Sequence, residues 1–149
     1  SEYVFSLMKE NDCEMQKKFT ENSLKDNNFF ESGNHSKYYY VCKKIYINNR
    51  EQLRCFIEKA LSNNNEMIIC AGSHFLILSG HEKQALKYLN IFLSKNPESY
   101  KGYVLKALAY YKLGNRKLSE ESFDNAKKIN PKNNFDLDYL DKFYKEKEV

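Results

Sequence analysis

Residues 80–97 read GHEKQALKYLNIFLSKNP, and residues 114–131 read GNRKLSEESFDNAKKINP. Gly80 and Gly114 lie 34 residues apart, as do Asn96-Pro97 and Asn130-Pro131. Inside the first window, Ala85, Tyr88, Leu89, Phe92 and Leu93 fall at i, i+3, i+4, i+7 and i+8, one face of a helix. In the second, Leu118, Ser122, Phe123, Ala126 and Ile129 repeat the stripe. Each Gly supplies the positive φ that ends a preceding helix. Each Pro forbids helical continuation and opens the next turn. The unit is therefore helix, Gly turn, helix, Asn-Pro turn. Self-similarity at a fixed period of this length marks stacked helical repeats.

The rest of the chain fits an all-α reading. Its 149 residues suit one domain, 42% of them apolar and 30% charged. Only 5 Gly and 2 Pro interrupt it, too few for the many turns of a β-sandwich or barrel. No stretch approaches the roughly 18 apolar residues of a membrane span.

In residues 100–133 the large and small residues run Tyr103, Ala107, Tyr110, then Ser119, Phe123, Ala126 and Pro131. In residues 66–99 the corresponding set is Ile69, Ser73, Leu76, Ala85, Leu89, Phe92 and Pro97. This pattern resembles the tetratricopeptide repeat. In that family an aromatic and a small residue on the first helix meet a small residue, an aromatic and an Ala on the second. Lys106 departs where the family prefers Leu, and Phe92 replaces a small residue where the helices cross. The resemblance implies a solenoid of antiparallel helix pairs. We divide the chain into an N-terminal helical cap or degenerate repeat (1–34), a degenerate repeat (35–65), two repeats (66–99 and 100–133) and a C-terminal capping helix (134–149). In the degenerate repeat Asn48-Asn49 stands in for the Gly turn, since Asn tolerates positive φ, and the phase is about two residues short of 34. The cap places Leu137, Leu140, Phe143 and Tyr144 inward, covering the apolar end every solenoid has.

The resemblance also implies where partners bind: a concave groove lined by the first helix of each pair. Here those positions are Met67, Cys70, His74, Ile77 and Leu78, then Lys101, Val104, Leu108, Tyr111 and Lys112. Some relatives grip acidic chaperone tails with Lys, Asn and Arg on these faces. Cys70, His74, Val104 and Leu108 put apolar or neutral groups there instead. An apolar groove suits an amphipathic helix or hydrophobic peptide of another protein. It is also open to filling by the chain's own ends, such as the segment carrying Val4, Phe5, Leu7 and Met8.

Other functions find less support. His35 falls in a Gly-Asn-His-Ser stretch that reads as a loop, and His81 follows the Gly turn into water. Cys70 and His74 share a helix face at i and i+4, but no third orienting group or oxyanion loop accompanies them. We assign no catalytic residue. The spacing of Cys13, Cys42, Cys55 and Cys70 holds no paired zinc motif, and nothing calls for a cofactor. Net charge is +4, with +5 in residues 100–133 and −3 in residues 1–34. A nucleic-acid-binding repeat using Lys-rich faces is one alternative. Against it stand only three Arg, and a Tyr38-Tyr39-Tyr40 run that points around a helix and builds no stacking platform. A self-associating module is the other alternative. Unpaired cysteines favour a reducing, cytoplasmic setting. Because Ser1 and not Met opens the sequence, an upstream signal or anchor would point to a periplasmic or envelope setting.

Overall fold

The computed structural model describes residues 33–148. The first 32 residues, with the expected helical stretches of the N-terminal cap and Cys13, lie outside the described residues. The elements are α1 (Gly33–Asn48), α2 (Arg50–Ser62), α3 (Glu66–Leu78), α4 (Glu82–Lys95), α5 (Tyr100–Lys112), α6 (Arg116–Ile129) and α7 (Leu137–Glu148). Among the described residues the regular elements are all helices, and none is long and apolar enough to cross a membrane. Short connections make consecutive helices antiparallel neighbours. First helices α1, α3 and α5 pack side by side, and second helices α2, α4 and α6 back them. The last helix, α7, packs against α6 and meets the end of α5 through Tyr111.

Polar residues at the turns set the helix starts. Side-chain oxygens of Asn65, Ser99 and Asn115 cap α3, α5 and α6 by accepting the backbone N–H of Ile68, Gly102 and Leu118 at 3.1–3.2 Å. Asp136 does the same for Tyr139 at 2.8 Å. Such caps satisfy amide donors that a helix cannot pair internally. Gly80 (φ 87°) and Gly114 (φ 81°) adopt the left-handed backbone that the repeat requires.

The first pair departs from the expected turn. Neither Asn48 nor Asn49 has positive φ: Asn49 is extended (φ −164°), and its side chain caps α2 from the Glu51 N–H. One residue separates α1 from α2, whereas Ser79, Gly80 and His81 separate α3 from α4. Those two missing residues account for the short phase. The Asn that does take the left-handed region is Asn64 (φ 53°), between α2 and α3.

Bonds at nearly one repeat's interval stitch the units. Asn64 and Asn96 exchange side-chain amide hydrogen bonds at 3.0 and 2.7 Å. Ser99 Oγ donates to Glu66 at 2.8 Å, and the Tyr100 hydroxyl donates to Asn133. Small residues sit where helices cross. Ser119, fully buried, donates from Oγ to the Ala107 carbonyl at 2.8 Å, tying α6 to α5. A Cβ on Gly72 would lie 2.8 Å from Ile57 Cδ1, so α2 and α3 approach closely only because that atom is missing. Phe123, Ala126, Leu89 and Phe92 line the same core, and Leu140 and Phe143 close it from α7.

Replacing Gly114 with Ala tests the turn alone, because nothing lies within 4 Å of the added Cβ. We expect a loss of about 1 kcal/mol from the left-handed backbone, read as a lowered urea midpoint. An unchanged midpoint would contradict the turn's assigned role.

Candidate functional site

The ten expected groove residues fall on the first helices, but half of them have no exposure. Cys70, His74 and Ile77 of α3 and Val104 and Leu108 of α5 are all at 0%. Met67, Leu78, Lys101 and Tyr111 are half-buried, and Lys112 is exposed. Lys101 Nζ meets Met67 Sδ at 3.6 Å, joining the two helices at one end of the row.

Burial on α3 goes further. Residues 69–77, nine in succession, are all buried. At 100° per residue that covers every side of the helix. Its run EMIICAGSHFLIL is apolar almost all round, the pattern of an enclosed helix and not of one with a wet face.

One side of the enclosure is α1. His35 is buried in the first turn of α1, where the sequence suggested a loop. Its Nε2 shares a hydrogen bond with His74 Nδ1 at 3.1 Å, and the rings lie 5.3 Å apart. Tyr39, also buried, sets its ring 5.3 Å from His74 and 5.7 Å from Phe75. His81 is likewise partnered: its Nε2 sits 2.7 Å from the Tyr46 hydroxyl, linking the α3–α4 turn to α1. Neither link was visible in the sequence, because the partners are 39 and 35 residues apart.

The far end of the row is polar. Tyr111 donates to Asp141 of α7 at 2.7 Å and stacks on Tyr144 at 5.5 Å. Arg116 grips the same carboxylate with two bonds of 3.0 Å. Those bonds, the Arg116 one foremost, pull the Asp141 carboxyl down to about 2. Desolvation, aided by Asp141, pushes the Tyr111 phenol up to about 12. Lys112 lies over the Tyr144 ring at 5.7 Å.

The chemistry of the enclosed groups follows from their burial. Desolvation lowers His74 to about 3, helped by Lys112, and holds His35 well below its usual value, helped by His74 and Lys101. It raises the Cys42 thiol to about 12 and the Cys70 thiol further. A neutral imidazole beside a protonated thiol is opposite to the thiolate–imidazolium pair of a cysteine nucleophile. Among the described residues no cluster of three or more His, Cys, Asp or Glu could hold a metal ion.

With this geometry in view, the comparison with known families is specific. Residues 76–149 match the family model described as Psidin, N-terminal TPR repeats region. Over these residues the chain is similar to tetratricopeptide repeats, in agreement with the 34-residue period. No curated protein and no solved structure matches it.

The buried histidine pair makes stability pH-dependent. Both folded values lie below the unfolded value of 6.5, so the contribution is complete above pH 6.5 and is lost as pH falls below it. Each imidazole would cost up to about 1.4 kcal/mol per pH unit. The urea midpoint should drop between pH 7.5 and 5.5, and the double variant His35→Gln, His74→Gln should flatten that slope. A wild-type midpoint constant over this range would contradict the neutral buried pair.

Proposed function

We propose that the array is a non-catalytic scaffold for protein–protein contact. It takes an amphipathic helix or hydrophobic peptide of a partner protein along the apolar side of α3 and α5. One observation supports this reading: Cys70, Ile77, Val104 and Leu108 are apolar or neutral at the positions that the tetratricopeptide resemblance implies for the groove. Such a strip gains about 25 cal/mol for each Å² removed from water, so it favours a covered state. Lys101 and Lys112 flank the strip with positive charge and favour an acidic rim on the partner's helix. The Lys-rich second helix α6 is a weaker candidate surface. Its Lys117, Lys127 and Lys128 are interleaved with Glu120, Glu121 and Asp124, which suits a solvated face better than a polyanion site.

Capture of partners from the protein's own cells tests this, with wild type compared to Leu108→Glu and to Lys117→Glu, Lys128→Glu. Leu108→Glu should cut capture at least about tenfold while circular dichroism shows the helices intact. The double charge reversal on α6 should leave capture unchanged, and salt from 50 to 200 mM should alter it by no more than about twofold. Capture that survives Leu108→Glu, or that falls by about 10³ or more with salt as nucleic-acid binding does, would overturn the reading.

A further inference from the structure

We propose that the cleft between α6 and the start of α7 is a second docking site, which takes an arginine-bearing segment of a partner protein. It lies apart from the strip on α3 and α5 and does not rest on the function proposed above.

At this cleft the chain departs from its own repeat. Equivalent positions lie 34 residues apart, so Leu86, Leu89 and Leu93 of α4 correspond to Glu120, Phe123 and Lys127 of α6. On α4 all three leucines are buried, and Leu93 lies close against Gly102 of α5. The following unit thus packs on this face of α4. On α6 the outer two positions carry exposed charges, and only Phe123 keeps the apolar, buried register. The connection differs too. Four residues, 96–99, join α4 to α5, whereas seven, 130–136, join α6 to α7. Hydrated charges and a longer connection keep the start of α7 from closing on α6. The gap is a cleft of about 330 Å³.

The lining selects a cation with an apolar stem. Glu120 and Asp124 border the cleft from α6, and Asp136 and Asp138 from the start of α7. Two cations, Arg116 and Lys127, share the lining, but Arg116 is already held by two bonds of 3.0 Å to Asp141. Among the described residues Glu120, Asp124 and Asp138 make no ion pair. Negative charge is therefore in excess here, within a chain whose net charge is +4. Phe123 and the half-buried Leu137 add apolar surface between the carboxylates. Arginine matches both parts. Its stem and flat guanidinium lie along apolar and aromatic surface, and its forked donors pair with carboxylates. A helix, about 10–12 Å across with its side chains, is too wide for the gap. The occupant reaches in with side chains from a segment lying outside.

Fluorescence anisotropy on the full chain tests this with three labelled, alanine-based peptides of equal length, carrying Arg, Lys or Glu at the same positions. The Arg peptide should bind at least about tenfold tighter than the Glu peptide, and more tightly than the Lys peptide. Glu120→Lys, Asp124→Lys should weaken the Arg peptide at least about tenfold. Both residues are exposed, so circular dichroism should not change. If helicity does fall, Glu120→Gln, Asp124→Asn provides the same comparison and should also lose affinity. Glu121→Lys reverses an exposed carboxylate outside the cleft and should alter binding by no more than about twofold. A benzophenone on the Arg peptide should crosslink to residues 116–138. Equal binding of the Arg peptide and either other peptide would overturn the proposal. So would a loss with Glu121→Lys as large as that of the double reversal, or crosslinks confined to other segments such as 66–78 and 100–112.

Discussion

Complete enclosure of one helix governs this molecule. In α3, nine side chains in a row are withdrawn from water, including Ile69, Phe75, Leu76 and Ile77. Each large apolar side chain of this kind contributes about 1.5–3 kcal/mol on burial. That gain is available only while the neighbours stay in place, so α1, α2, α4 and α5 are all held by the same central rod. The small residues Ala71, Gly72 and Ser73 at its middle let the neighbours come near enough to exclude water. The same enclosure explains the neutral histidine pair and the inert thiols. Burial makes a charge on any of them costly, and Lys101 and Lys112 add to the cost for the imidazoles.

Around that rod the repeat acts as a ruler. Contacts between equivalent corners of successive units recur at 32 to 34 residues: Asn64 with Asn96, Glu66 with Ser99, Met67 with Lys101, Tyr100 with Asn133. All are near the starts of first helices, where a capping side chain is already needed. One row of polar residues therefore ends each helix and also joins it to the next unit. At the opposite end of the first-helix row, Arg116, Tyr111 and Asp141 fasten α7. A bidentate guanidinium–carboxylate pair fixes orientation better than a lone ammonium would.

Much of this was legible in the residues, and the reasons for the rest are physical. The Gly80/Gly114 and Pro97/Pro131 punctuation gave the repeat because φ and helix termination are local properties. The family match over residues 76–149 agrees with that reading where the punctuation is strongest. Local rules failed at Asn49, which caps in an extended conformation because the connection is too short for a left-handed residue. They failed again at His35: Gly33, Asn34 and Ser36 argue for a loop, but α1 starts at Gly33, with His35 against His74 and Tyr39 against His74 and Phe75. His81 looked solvated because its partner, Tyr46, belongs to another unit. The strip residues were placed on their helices by register, but register gives no measure of exposure. The apolar run from Met67 to Leu78 was the available signal, since a helix that is apolar almost all round is an enclosed one.

The central claim is that the apolar side of the first helices is covered in the resting protein. Cysteine labelling reads this most directly, because Cys55 is exposed on a second helix and Cys70 lies on the strip. Under native conditions, a small thiol reagent followed by peptide mass spectrometry should modify Cys55 promptly and leave Cys70 unmodified until denaturant is added. Modification of Cys70 at a rate comparable to Cys55, with the helices intact, would show an open strip and contradict the account.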